Sequence, residues 1–380
     1  MQLFTSEFEI LLTTPPGLEV WLLEEVQAAG FKRAKIIRGG VTIWGGWPDV
    51  WRANLTLRGA SKVLVRFGEF RAFHLAQLDK RARKFPWADI LTPGVKVKVE
   101  VITNRRNKIY HAGAAIERIE RAISEEFDAS IAACLDEADV VIKARITNNN
   151  VLLSVDSSGD GLHKRGHKQA MGKAPVRETM AAMLLRACGY TGHESVLDPM
   201  CGSGTFIIEA AEIARNLMAG RGRGFAFQKL ASYDERSVQK IRDAWQPRET
   251  TRQFYGSDRN VNVIGFAKAN AKRAGVHKLC SFSPTPLSEI QHPKGSESSV
   301  GGLVMVNPPY GARIGKKKDL AALYTAFGMV MRDRFKGWRV GMVTSDTNLA
   351  QATKLPWLPV AEPIAHGGLK VHLFRTDVLD

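Results

Sequence analysis

Cysteine is scarce in this chain: four residues in 380, Cys134, Cys188, Cys201 and Cys280, with no Cys-x-x-Cys pair among them. That spacing excludes a zinc ribbon and fits reduced thiols, so a cytoplasmic protein is expected. No window of 18 residues is both apolar and uncharged, which predicts no transmembrane helix and no membrane partner. The first residues carry Glu7 and Glu9, no basic stretch and no small-residue cleavage site, so no signal peptide is expected. The nine histidines include no His-Glu-x-x-His motif and no clustered ligand pair, so no metal site is expected. Acidic residues are the minority, 38 against 54 Lys and Arg, giving a net charge of +16.

What is present is ordinary globular material. Apolar residues make up 44% and charged residues 24%, enough for more than one core, and the length suggests two to three domains. The basic excess is uneven, +4 over residues 1–165 and +12 over residues 166–380. A basic balance favours polyanions such as nucleic acid, but without a motif it is equally a matter of solubility.

Three zones follow one another. In residues 1–68, a β-rich run at Phe8–Thr13 precedes a helical pattern, Leu18, Trp21, Leu22 and Val26, that Gly30 stops. Gly39-Gly40 signals a hairpin, Trp47–Leu57 reads as a helix and Lys62–Phe67 as a strand. The order β-α-β-β-α-β predicts a ferredoxin-like domain. Residues 69–158 predict a small α+β module: a helix over His74–Lys84, an alternating strand at 95–101, a helix over Ala112–Phe127, and strands at Val140–Thr147 and Val151–Asp156. Residues 159–380 alternate strands (Ser195–Asp198, Phe254–Asp258, Leu279–Ser283, Leu303–Val306, Arg339–Thr344) with helices at 204–218, 260–274, 319–334 and 347–354. That is a doubly wound α/β sheet, and β-rich runs around Gly367-Gly368 predict a terminal antiparallel hairpin.

Chemistry gathers at two points. In Val196-Leu197-Asp198-Pro199-Met200-Cys201-Gly202-Ser203-Gly204-Thr205-Phe206 a strand ends in an acid, turns through Gly-x-Gly and enters a helix. The glycines admit a ligand close to the backbone, and the helix start favours negative charge. A phosphate-binding P-loop would need a following Lys, and a dinucleotide site a third glycine where Ile207 stands. S-adenosylmethionine (SAM) remains, with Asp198 facing its ammonium and the helix end its carboxylate; Pro199 and Thr205 belong to the same turn. Asp258, ending the next strand, suits the ribose hydroxyls. Between them, 219–252 is an insert rich in Arg and Lys, read either as an RNA contact or as a solvated face. His163 and His167, among Lys164, Arg165 and Lys168, leave the same two readings open.

The second point is Val306-Asn307-Pro308-Pro309-Tyr310. An exocyclic base amine is a poor nucleophile because its lone pair is delocalised into the ring. Asn307 Oδ1 and the Pro308 carbonyl can accept its hydrogens and aim the nitrogen, the prolines stiffen the loop, and Tyr310 offers a stacking face. The loop holds no cysteine nucleophile of the kind cytosine-C5 methylation needs.

DPMCGSGTF and NPPY together resemble the amino-methyltransferase branch of the class I SAM-dependent enzymes. The stretch 162–185, LHKRGHKQAMGKAPVRETMAAMLL, is similar to the segment before the SAM motif in the THUMP-domain RNA guanine-N2 methyltransferases, the RlmL/YpsC-like group. The resemblance implies a ferredoxin-like domain and a THUMP domain ahead of the catalytic one, and N2-methylation of a guanosine in 23S ribosomal RNA. It assigns SAM to Asp198, Gly202, Gly204 and Asp258, and the guanine to Asn307, Pro308 and Tyr310. The chain departs from the family twice. No acid follows the third strand of the sheet in Ser281-Phe282-Ser283-Pro284-Thr285-Pro286, and Gly311-Ala312 stands where Glu commonly precedes Arg313. Arg313, Lys316, Lys317 and Lys318 are expected phosphate contacts. Other readings stay open: the same chemistry on tRNA, adenine-N6 methylation, or a non-catalytic RNA-binding or ribosome-assembly factor.

Overall fold

Apolar alternation builds the first sheet. In a computed structural model of the chain, which describes residues 7–169, 176–293, 301–310 and 317–380, β1 (Phe8–Thr13) buries Ile10 and Leu12 completely. α1 (Glu19–Ala28), β2 (Lys35–Ile37), β3 (Gly40–Gly45), α2 (Trp47–Thr56) and β4 (Lys62–Arg71) complete the expected β-α-β-β-α-β order. Then come α3 (Leu75–Arg83), β5 (Lys96–Ile102), α4 (Ala112–Glu126), β6 (Ser130–Ile131), β7 (Val140–Thr147) and β8 (Asn150–Asp156). α4 presents Ala115, Ile119, Ala122 and Ile123 on one buried stripe, the i, i+4, i+7 pattern of an amphipathic helix.

All eight strands lie in a single sheet, in the order β2-β3-β1-β4-β8-β7-β5-β6. The two front zones are therefore joined edge to edge, through β4 paired antiparallel with β8. This explains why β4 runs four residues past Phe67, the end expected from the sequence. A register shift between Arg66 and Gly68 lets the strand continue to Arg71, opposite Asn150. Gly68 is required there, because a Cβ would sit 2.3 Å from the Phe85 ring.

The second sheet is built from β9 (Ser195–Asp198), β10 (Phe254–Ser257), β11 (Cys280–Ser283), β12 (Gly302–Val306), β13 (Arg339–Thr344), β14 (Ile364–His366) and β15 (Leu369–Arg375). Their order is β11-β10-β9-β12-β13-β15-β14, parallel except for β15 and β14. The central strand β12 is apolar throughout, as two covered faces require, and its Val304, Met305 and Val306 are fully buried. The helices are α5 (Glu178–Ala187), α6 (Thr205–Ala214), α7 (Glu235–Ala244), α8 (Val261–Ala274), α9 (Lys317–Arg334) and α10 (Thr347–Ala352). Among the described residues no helix is long and apolar enough to cross a membrane.

The chain divides into two compact units, neither of them continuous in sequence. The first comprises Met1–Thr14, Leu23–Leu162 and Gly224–Ala244; the second Pro15–Leu22, His163–Arg223 and Trp245–Asp380. Within the first, the middle of the basic insert is held by its apolar residues. Leu230 bridges Leu91, the Ala231 N–H donates to the Ile90 carbonyl (2.9 Å), and Phe227 is 1% exposed. Within the second, the Ala365 N–H donates to the Pro16 carbonyl (3.0 Å).

Candidate active site

Strand order reverses beside β9: β10 and β11 lie on one side of it, β12 and β13 on the other. At such a switch point the loops leaving neighbouring parallel strands splay apart and open a crevice at their carboxyl ends. Both sequence motifs emerge here. Leu197 on β9 stands opposite Val304 on β12, so the loops that follow leave the sheet side by side.

After Asp198 the chain turns sharply. The Asp198 carboxylate accepts the Met200 N–H (3.0 Å), the Cys201 N–H donates to the Ser257 carbonyl (2.8 Å), and the Gly204 N–H donates to the Cys201 carbonyl (2.8 Å). Gly202 (φ +52°) and Gly204 (φ +84°) are both left-handed, a conformation that favours glycine. A Cβ on Gly204 would press on Ala267 and the Phe282 ring at 3.1 Å, whereas one on Gly202 would meet nothing within 4 Å. Gly204 fits helix α6 onto the sheet, and Gly202 leaves open space above the loop. Gly204 also begins α6 without any side-chain cap, so the first N–H groups of the helix stay available to an anion.

Asp258 joins the same loop from β10. Its Oδ2 accepts the Gly202 N–H (3.1 Å) and its Oδ1 the Asn260 N–H (2.9 Å), which locks the carboxylate against the turn. Asp198 is 2% exposed, and burial pushes its carboxyl up to about 8; the Met200 N–H opposes the rise and the Asp258 charge adds to it. Cys201 is buried and its thiol is pushed up by that burial, as a packed residue rather than a reactive one.

On the β12 side, Pro308 is buried, and Asn307 Oδ1 is enclosed with no hydrogen-bond partner among the described residues. A buried acceptor without a donor is costly, so the atom points to a ligand donor. Tyr310 is half-buried, and burial raises its hydroxyl pKa. Sequence reasoning missed what holds this loop. Tyr324, 1% exposed on α9, bonds the Pro309 carbonyl (3.3 Å) and the Thr344 hydroxyl (3.1 Å).

A cavity of about 280 Å³ lies along β10 and β11. Leu197 and Tyr255 line it together with Ser257, Ser283, Thr285 and Glu289. Ser257 is 6% exposed and its Oγ has no hydrogen-bond partner among the described residues. The run after β11 thus lacks an acid, yet Glu289 brings one to the cavity from further along the chain.

At Arg165 and His167 the basic strap before α5 departs from both readings its sequence left open, while Lys164 is exposed. Arg165 pairs with Glu209 at 3.3 Å, both side chains almost fully enclosed, and the buried His167 ring faces Glu212 at 3.8 Å. Two acids on α6 face these side chains, and burial lowers the His167 pKa, so Arg165 is the cation of the two and neither residue is an exposed RNA contact. Arg313 and Lys316 lie outside the described residues, as do the side chains of Lys317 and Lys318 at the start of α9. Among the described residues no cluster of His, Cys, Asp and Glu could hold a metal ion.

The reversal at β9, the glycine turn and the closing antiparallel hairpin together define a class I methyltransferase fold. Comparison with known proteins makes this specific. The chain belongs to the RMKL-like methyltransferase family: residues 165–361 match its methyltransferase domain, residues 9–64 the RlmL ferredoxin-like domain and residues 73–156 the THUMP domain. It is 33% identical over 360 residues to the ribosomal RNA large subunit methyltransferase K/L of Vibrio cholerae, a match covering 91% of this chain and 50% of that protein. The chain therefore spans about half the length of this curated relative. Among solved structures it resembles SMU.472 complexed with SAH, at 24% identity and a TM-score of 0.87, over 99% and 100% of the two chains. It also resembles a predicted N6-adenine-specific DNA methylase from Listeria monocytogenes, at 27% identity and a TM-score of 0.83, over 97% and 96%.

Proposed function

We propose that the protein transfers a methyl group from SAM to the exocyclic N2 of a guanosine in 23S ribosomal RNA. The observation that carries this reading is Asn307 Oδ1, a buried acceptor without a donor among the described residues, on a proline-stiffened loop one strand away from the open glycine turn. The glycine turn suits SAM. It combines a buried carboxylate for the ammonium, uncapped helix N–H groups for the carboxylate, Asp258 for the ribose and clear space above Gly202. The hydroxyl-lined cavity beyond Asp258 accommodates the adenine edge, with Ser257 Oγ and Glu289 as its polar contacts.

SAM supplies a methyl group on a positively charged sulfur; the protein supplies position. Asn307 Oδ1 and the Pro308 carbonyl accept the two hydrogens of the base amine, which turns the nitrogen lone pair toward the donor. As that nitrogen attacks it becomes positive, and the same two oxygens stabilise the charge without having to reorganise. Tyr310 holds the unstacked base by its ring face. Holding the reacting atoms in line about 3–3.5 Å apart accounts for most of the expected acceleration, and the extra proton leaves to water.

The match to a THUMP domain and the curated relative support RNA, and ribosomal RNA in particular. The Asn-Pro-Pro-Tyr loop and the Listeria relative favour a second reading, adenine-N6 methylation. Labelled SAM offered with 23S rRNA, tRNA and DNA, followed by nucleoside analysis, separates them. N2-methylguanosine from rRNA is expected; label in N6-methyladenosine, or in tRNA alone, would overturn the reading.

Tyr324→Phe provides a further test. The variant keeps the ring and loses the bond to Pro309, so turnover is expected to fall about 5- to 10-fold, the worth of roughly one hydrogen bond. SAM affinity should not change. A drop in SAM affinity with turnover intact would mean that Tyr324 serves the cofactor side instead.

A further inference from the structure

The strap at 163–169 treats its basic residues unequally. Arg165 and His167 meet acids on the middle of α6. Lys168 reaches the start of that helix. Its Nζ lies 3.0 Å from Thr205 Oγ1, 3.0 Å from the Val176 carbonyl and 3.3 Å from Glu178 Oε1, with the side chain only 10% exposed. An ammonium has three hydrogens, and these three acceptors engage all of them.

A cation at the first turn of a helix is opposed by the helix dipole, and enclosing it adds a desolvation cost. Glu178 offsets the burial, yet Glu178 alone does not explain why the ammonium is brought to Thr205. An ammonium can only donate, so Thr205 Oγ1 accepts from Lys168 and its own hydrogen is turned away from the strap. No described bond takes that hydrogen, and α6 begins without a side-chain cap. The hydroxyl and the first N–H groups of the helix are therefore neighbouring donors at one helix start, with a buried positive charge beside the hydroxyl.

We propose that Lys168 is a positioning residue: clamped by Glu178, it orients the Thr205 hydroxyl and, with the first N–H groups of α6, makes an anion cradle for the carboxylate of SAM. The inference rests on the reading of this loop as the SAM site. It gives the sequence between the front unit and the glycine turn a direct part in cofactor selection.

The test compares SAM with decarboxylated SAM, which keeps the sulfonium and the ammonium and lacks only the carboxylate. Calorimetric titrations are run on the full-length protein, on Lys168→Met/Glu178→Gln, on Lys168→Arg and on Thr205→Val. The paired change avoids leaving Glu178 buried without its cation. SAM binding to Lys168→Met/Glu178→Gln and to Thr205→Val should weaken about 10- to 100-fold, as for a lost charge-assisted contact. Decarboxylated SAM should bind all forms alike, and Lys168→Arg should retain most of the preference for SAM. Equal weakening of both ligands would reduce Lys168 to a structural role, and unchanged SAM affinity would remove it altogether; either overturns the proposal. Thr205→Val leaves the strap intact and carries the test if the paired variant does not fold. Failure of the unaltered protein to bind either ligand is a different result, which overturns the SAM reading itself.

Discussion

Asn307→Ala is expected to cut methyl transfer about 10²- to 10³-fold, the range found when one preorganised acceptor or donor is removed from a developing charge. The SAM dissociation constant should stay where it is. Asn307 follows β12, whereas the groups assigned to SAM leave β9 and β10. The side chain makes no described hydrogen bond through Oδ1, so truncating it breaks no internal contact there. Single-turnover rates at saturating SAM measure the first quantity and calorimetry the second. Retained activity with lost SAM affinity would exchange the roles of the two loops.

The second large effect concerns protons. At pH 7 the Asp198 carboxyl, pushed up to about 8 by burial, is mostly protonated in the free protein. Pairing with the cofactor's ammonium favours the ionised form, so SAM binding at pH 7 should release a proton from this group, and affinity should rise as pH increases through about 8. Asp198→Asn imitates the protonated acid and should fold normally. Its SAM affinity should be about 10- to 100-fold weaker, the worth of a charge-assisted hydrogen bond, and the proton release should vanish. Titrations in buffers of different ionisation enthalpy read the proton count directly. Release that persists in Asp198→Asn would assign the proton to another group.

Much of this was legible because strand ends and chemistry coincide. Ser195–Asp198 and Arg339–Thr344 appear where Val196-Leu197 and Val340–Val343 put them, since the middle of a strand buried on both faces is apolar. The same completeness hid α5. Its residues are buried on all sides apart from Arg186, so no polar stripe betrays a helical period. α7 was masked by its charge, and β6, two residues long, has no pattern to read. The pairing of β4 with β8 was out of reach for another reason. It depends on which edges meet, and each strand's alternation is equally satisfied alone. At the candidate site, Asp198, Gly202, Gly204, Asp258 and Asn307 stand out in the sequence because each lies in a motif at or just beyond a strand. Tyr324 and Lys168 act across folded distances, 15 and 37 residues from their partners, and the local sequence around them carries no trace of those bonds.

The division of each unit into separate stretches has a consequence for how the chain is made. Pro15–Leu22 leaves the ribosome well before the other stretches of its unit, His163–Arg223 and Trp245–Asp380, where Pro16 accepts a hydrogen bond from Ala365. Gly224–Ala244 completes the front unit, with Phe227 and Leu230 in its core, yet is synthesised after the glycine turn of the other unit. Neither unit can close before much of its neighbour has been translated. Assembly therefore waits on contacts of long sequence separation, the kind that slow folding and prolong the exposure of apolar surface. A nascent chain stalled near residue 200 would hold the eight-stranded sheet without the segment that covers Leu91, and chaperone capture should peak there.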